Sequence, residues 1–186
     1  MYTNIEDIYS CYRLGLISKD SLLNNKIIEK KTFIVQGKLY SPKDVFDIND
    51  IKLEELITLH NMGNINRKEL IKLYNDIKKN DISIYEYYLA AVQGIIPIEK
   101  ALKKINKKLK EKNKLSIKDT LALSKLRIID INRLLYKSKF LRKINSEDLT
   151  PSDLVFLSSS FILSNEEIND KVLVLKSNMI DKRIKK

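Results

Sequence analysis

The sequence predicts an all-α protein of about five helix–turn–helix units, packed as a short repeat array or as a bundle. Three observations predict this class. A pattern of helix caps, apolar residues and a turn recurs five times along the 186 residues. The chain has only four Gly and three Pro, too few for a fold with many tight turns. Each recurring position also matches a helix boundary, not a chemical motif.

Every copy of the pattern begins with a helix start. The first residues of the copies are Asn4, Lys52, Ser83, Ser116 and Thr150. An acid follows three residues later, as Asp7, Glu55, Glu86, Asp119 and Asp153. A polar N-cap and a carboxylate three residues on form a capping box, which satisfies free backbone amides at a helix start. Lys52 is a poor cap, but the acids as a group are predicted to be structural and not catalytic.

Each copy then predicts a turn and a second helix. Gly15, Gly63 and Gly94 end the first helix in the first three copies, because glycine adopts positive φ at low cost. Arg127 and Phe161 stand at this position in the last two copies, so different turns are expected there. The second caps are Ser18, Asn66, Pro97, Asp130 and Ser164.

The spacing of the copies predicts the division of the chain. The last four copies follow one another at about the interval of known helical repeats, whereas the first interval is longer. We therefore expect a first helical hairpin over 1–31, an insertion over 32–50, four hairpin units over 51–178 and a basic tail over 179–186. Two β-prone runs around Gln36 and Gly37 predict a small β-hairpin-like insertion near residues 32–40.

The composition argues against several function classes. No apolar run reaches the ~20 residues that span a bilayer, and acids stand at the N-terminus where a signal peptide is basic. We therefore expect a cytoplasmic protein, or one assembled into a phage particle. Cys11 and His60 are the only residues of their types, which excludes a Cys/His zinc site and a histidine cluster. The sequence predicts no enzyme, no metal and no cofactor, and Cys11 is expected to be a buried thiol.

The net charge of +11 comes mostly from lysine, with 29 Lys against 6 Arg. Two interpretations remain open, a compositional bias on solvated surfaces or a surface that binds polyanions. The candidate polyanion-binding residues are Lys103, Lys104, Lys107, Lys108, Lys110 and Lys114. Helical spacing places Lys103, Lys107, Lys110 and Lys114 on one face. Cations near a helix C-terminus are also favourable on dipole grounds alone.

Tyrosines supply the other candidate surface. Tyr85, Tyr87 and Tyr88 lie on one predicted helix. Side chains at these positions point in different directions around a helix and cannot all enter one core. They are therefore predicted to take part in partner binding, with packing in the core and between units as the alternative.

The stretch from Tyr12 to Leu22 resembles a short helical motif of small phage proteins. It has an aromatic residue, then Gly15, two apolar residues, Ser18 and an acid, as in the XkdX family of phage tail-region proteins. The SHOCT module is similar, and residues 62–70 repeat the pattern. The resemblance implies a small phage or prophage protein with an interaction role, and it supplies no catalytic residues.

Two functions follow from these features. The first is a non-enzymatic helical interaction protein, such as a phage tail, virion or assembly component that acts through protein–protein contacts. The alternative is a nucleic-acid-associated protein that uses its lysine-rich surface to bind DNA or RNA, or to inhibit a host nuclease or CRISPR complex. A protein partner is expected, nucleic acid is the alternative partner, and no membrane association is expected. The sequence leaves the oligomeric state open.

Overall fold

A computed structural model describes residues 2–38, 51–77, 82–111, 114–130 and 149–184, with a few single residues between 132 and 145. The all-α class is confirmed, since these residues form ten helices and no strand. The helices are α1 (Ile5–Arg13), α2 (Lys19–Leu23), α3 (Lys26–Val35), α4 (Leu53–Asn61), α5 (Arg67–Ile77), α6 (Ile84–Val92), α7 (Ile98–Glu111), α8 (Ile117–Lys125), α9 (Pro151–Ser159) and α10 (Asn165–Ile184). No helix of the described ranges is long and apolar enough to cross a membrane.

The chain forms two compact units. Unit 1 combines residues 1–22 with residues 115–186, and unit 2 comprises residues 23–114. Unit 1 is therefore discontinuous, and the first copy of the repeat folds with the last two. In unit 1, α9 packs against α1, α8 and α10; in unit 2, α4 packs against α5 and α6, and α6 packs against α7.

The helix starts follow the predicted caps. Reciprocal capping boxes join Ser83 to Glu86, Ser116 to Asp119 and Thr150 to Asp153. Asn4 accepts from the backbone N–H of Glu6 at 2.8 Å. At α4 only half of the box is present, because a lysine side chain has no acceptor; the Lys52 N–H donates to Glu55 at 3.2 Å.

One turn ends the first helix in all five copies. The residue at the turn has a positive φ of 70° at Gly15, 81° at Gly63, 62° at Gly94, 56° at Arg127 and 54° at Phe161. In each copy the N–H of this residue donates to the carbonyl oxygen three residues earlier. The N–H of the next residue donates to the carbonyl oxygen five residues before it, which is the Schellman arrangement. The expectation of different turns at Arg127 and Phe161 is therefore wrong. These two side chains take a conformation that costs a non-glycine residue about 1 kcal/mol or more.

The β-hairpin predicted near residues 32–40 is not found, since residues 32–35 lie in α3 and Gly37 ends that helix with the same turn. Residues 39–50 lie outside the described residues. Asn25 caps α3 and accepts from the N–H groups of Ile27 and Ile28. Ile28 and Val35 are two turns apart on one face, and both are buried. This burial outweighs the β propensity of the run.

The core of unit 1 joins the two ends of the chain. Its buried side chains are Leu121, Phe140, Ile144, Leu149, Leu154, Leu157 and Leu175. Leu14 and Leu16, which flank the turn of the first copy, pack against this cluster together with Ile162 and Leu163. Lys118 of α8 also forms an ion pair with Glu6 of α1. Apolar packing and an ion pair therefore hold the first copy among the last ones.

Unit 2 brings the first helices of two copies together at their N-termini. The N–H of Leu53, the first residue of α4, donates to Glu86 Oε1 of α6 at 3.0 Å. Arg67 of α5 donates to the carbonyls of Gln93 and Gly94, which form the turn between α6 and α7. Lys31 of α3 forms an ion pair with the nearly buried Glu55 of α4. Each contact joins a helix end to a neighbouring element.

Candidate functional surfaces

A row of lysines covers the solvent side of α7. We define the lysine face as Lys100, Lys103, Lys104, Lys107 and Lys110, all of which are exposed. At 3.6 residues per turn these five residues lie within about 120° of one another around the helix. Ala101 and Ile105 are fully buried on the opposite side. Burial of the apolar side thus fixes which side chains α7 presents to solvent.

Among the residues that the structure describes, little negative charge lies against the lysine face. One ion pair is present on it within this part of the chain, between Lys107 and Glu111 at 4.0 Å, and both side chains are largely exposed. Such exposed pairs contribute little, about 0–1 kcal/mol. Glu99 and Glu111 are the only acids of the helix, one in the first turn and one at the last residue. Lysines at i, i+3 and i+4 along the middle of the face repel one another.

The structure changes the membership of the predicted lysine set. Lys103, Lys104, Lys107 and Lys110 belong to the lysine face, and Lys100 joins them although the sequence analysis did not include it. Lys108 lies at the edge of the face and is half-buried. Lys114 is exposed beyond the end of α7. In the sequence, Lys100 stands apart from the lysine-rich end of α7, so the lysine cluster at that end does not single it out.

The three candidate tyrosines do not form one exposed surface. Tyr85 is only 6% exposed and belongs to the interior of unit 2, whereas Tyr87 and Tyr88 are half-buried. Burial raises the pKa of Tyr88 above its ordinary value. The partner-binding prediction for this helix therefore depends on Tyr87 and Tyr88.

The predicted cap acids are placed at helix starts. Besides Glu55, which pairs with Lys31 of α3, two of them also reach a second helix. Asp7 of α1 accepts at Oδ1 from the N–H of Ser152 at 3.1 Å and from its hydroxyl at 2.5 Å. Glu86 accepts from Ser83 and from Leu53. Asp119 is buried and Asp153 half-buried, each within its own capping box. Shared capping between helices was not predicted, because a single copy does not show which helix lies beside it.

An exposed aromatic side chain is the other feature that the sequence analysis missed. Phe161 is 95% exposed and stands at the turn between α9 and α10. The next two residues, Ile162 and Leu163, pack against the core of unit 1, so the turn is anchored beneath the ring. Leu173, Val174 and Ile180 are further exposed apolar residues on α10. The signal in the sequence was a phenylalanine at a position where three other copies have glycine.

Cys11 and His60 occupy structural positions. Cys11 is buried, as predicted; burial and the nearby Asp7 carboxylate raise the pKa of its thiol to about 12. A thiol with so high a pKa carries almost no thiolate at neutral pH and is unreactive. His60 Nδ1 lies 3.0 Å from the carbonyl oxygen of Ile65, across the turn that follows α4.

Comparisons with known proteins and a search for metal sites give negative results. Among the residues that the structure describes, no group of three His, Cys, Asp or Glu side chains could hold a metal ion. No protein-family model, no curated protein and no solved structure matches this chain.

Proposed function

We propose that this chain is a non-enzymatic helical interaction protein that acts through protein–protein contacts, as a tail, virion or assembly component of a phage or prophage. Phe161 is the observation that carries the proposal. Its ring contributes almost nothing to the fold, being 95% exposed, and its backbone adopts a conformation that glycine would adopt at lower cost. Burial of the ring against a bound partner would account for both the exposed ring and the strained backbone.

The surroundings of Phe161 suit a contact site. Binding hot spots are enriched in rigid aromatic side chains, which lose little conformational entropy when they are buried. Ile162 and Leu163 fix the turn to the core, so the ring is presented on a rigid base. The resemblance of residues 12–22 to motifs of phage tail-region proteins supports the placement in a phage particle.

Affinity purification from the cells that naturally produce the chain tests this function. Wild-type protein and the Phe161→Gly variant are compared by quantitative mass spectrometry, with Arg127→Gly as the control at the equivalent turn. We expect a phage structural protein to be recovered with the wild type and with Arg127→Gly. Recovery with Phe161→Gly should fall at least about tenfold, as for loss of a hot-spot residue. Equal recovery with all three proteins would contradict the role of Phe161.

A second candidate function, association with nucleic acid, is favoured by the lysine face of α7. Five exposed lysines on one side of a helix create a positive potential that a polyphosphate would neutralise. Direct DNA or RNA binding and occupation of a nuclease or CRISPR groove are both versions of this candidate. Measurement of nucleic-acid binding across a salt series tests it, and absence of binding near physiological salt would remove it.

A further inference from the structure

We propose that the lysine face of α7 binds the phosphate backbone of a nucleic-acid duplex without reading its sequence. This proposal rests on the second candidate function and names its ligand. The face consists of Lys100, Lys103, Lys104, Lys107 and Lys110, and Lys100 to Lys110 span about 15 Å at the rise of an α-helix. Duplex DNA carries one charge per ~1.7 Å of its axis, so a face of this length meets several phosphates.

Helix stability does not explain the positions of these lysines. Cations stabilise a helix near its C-terminus, where the dipole is negative, but Lys100 and Lys103 lie in the first two turns of α7. Lysine neighbours at i+3 and i+4 destabilise a helix by about 0.2–0.5 kcal/mol per pair. The isolated fold is therefore weakened slightly by the arrangement, and an anionic ligand would reverse the sign of this effect.

Compositional bias does not explain the arrangement either. On α5, Lys68 and Lys72 alternate with Glu69 and Asp76, as expected for an ordinary solvated helix. On α7 the two acids, Glu99 and Glu111, stand at the ends and leave the middle of the face uniformly positive. A bias toward lysine codons would raise the number of lysines on every exposed helix without separating them from acids.

The chemistry of the face favours duplex phosphates over other anions. The apolar side of α7 is buried against α6, so this helix cannot insert into a lipid surface. It has no aromatic residue for base stacking, which single-strand binders use. It also has no arginine for bidentate contact with guanine. Centres of protein interfaces are depleted in lysine, which disfavours an acidic protein as the ligand.

A salt series with matched variants tests the proposal. Full-length protein is titrated into fluorescent duplexes of two unrelated DNA sequences, the corresponding RNA duplex and one single strand, between ~50 and ~200 mM salt. The test variant is Lys103→Gln/Lys107→Gln/Lys110→Gln. The control is Lys68→Gln/Lys72→Gln/Lys176→Gln, which removes three exposed lysines elsewhere and gives the same net charge. Circular dichroism checks that both variants are folded.

We expect both DNA duplexes to bind the wild type equally, with log K falling against log salt at a slope of about −4. The test variant should lower the magnitude of this slope by about 3, one for each lysine removed, and the control by less than 1. The RNA duplex arm shows whether the deoxyribose backbone is required.

Four results would overturn the proposal. Equal losses of duplex affinity in the test and control variants would show that binding depends on net charge and not on the lysine face. A single strand that binds the face as tightly as a duplex would show that the ligand need not be a duplex, but it would still be consistent with nucleic-acid association. Displacement of the duplex by polyglutamate at equal charge concentration would identify an acidic-protein surface. Absence of binding by all nucleic acids would refute the second candidate function together with this inference.

Discussion

Replacing Glu86 by alanine should lower the free energy of unfolding by about 3–4 kcal/mol, a large part of the 5–15 kcal/mol of a typical domain. Glu86 is buried, and its two carboxylate oxygens accept from two different helix starts. Oε2 accepts from the Ser83 N–H at 2.8 Å and Oε1 from the Leu53 N–H at 3.0 Å. Alanine leaves both donors without an acceptor. Urea unfolding followed by circular dichroism measures the loss.

Glutamine at this position provides a sharper test. A carboxamide has one acceptor and one donor terminus, so it can serve only one of the two N–H groups. We therefore expect Glu86→Gln to lower the free energy of unfolding by at least about 2 kcal/mol, which is most of the loss expected for alanine. Glu69→Ala is the control, because within the described ranges Glu69 forms only the local box with Asn66 at α5; about 1 kcal/mol is expected. Equal losses for Glu86→Ala and Glu69→Ala would show that the bond to α4 contributes nothing.

Replacing Asp7 by alanine should lower the stability of unit 1 by about 3 kcal/mol. Asp7 of α1 accepts both the N–H and the hydroxyl of Ser152, in the first turn of α9. Ser152 is buried, so water cannot replace the lost acceptor. The residues are far apart in the chain, and the bond fastens the first copy of the repeat to the last.

Asparagine should be tolerated at Asp7 much better than glutamine at Glu86. Both bonds from Ser152 converge on one oxygen, Oδ1, which asparagine retains as its carbonyl. We expect Asp7→Asn to lower the stability of unit 1 by only about 1 kcal/mol, mainly because it removes a negative charge near two helix N-termini. Asp153→Ala is the control, since among the described residues Asp153 bonds only within its own capping box; about 1 kcal/mol is expected. A loss for Asp7→Asn as large as that for Asp7→Ala would contradict this geometry.

Local signals allowed much of the fold to be predicted. Caps such as Ser83 and Thr150, and turn glycines such as Gly63 and Gly94, act within a few residues. One copy therefore contains all the information needed to predict its helix starts and turns. The β-hairpin prediction failed because residues 32–35 continue α3, where Val35 is buried on the same face as Ile28. The turns at Arg127 and Phe161 were mispredicted because surrounding structure can hold a residue other than glycine at positive φ.

Long-range arrangement could not be predicted from the repeat. Each copy has an acid at the same cap position. Nothing in a copy therefore distinguishes Asp7, which bonds to a second helix, from Asp153, whose described hydrogen bonds stay within its own capping box. The lysine face was found in part, since periodicity identifies Lys103, Lys107 and Lys110 but does not fix which side of α7 is buried. Exposure of Phe161 depends wholly on its neighbours in space.

The unfolding free energy of Phe161→Gly tests most directly whether Phe161 serves a partner and not the fold. It requires no knowledge of the partner. We predict an increase of about 0.5–1 kcal/mol, because glycine relieves the positive-φ strain and an exposed ring gives up no packing. Arg127 occupies the equivalent turn of the preceding copy with a φ of 56°, so Arg127→Gly should show a similar gain in stability. A loss of stability in Phe161→Gly would show that the ring supports unit 1 and would contradict its proposed role as a contact residue.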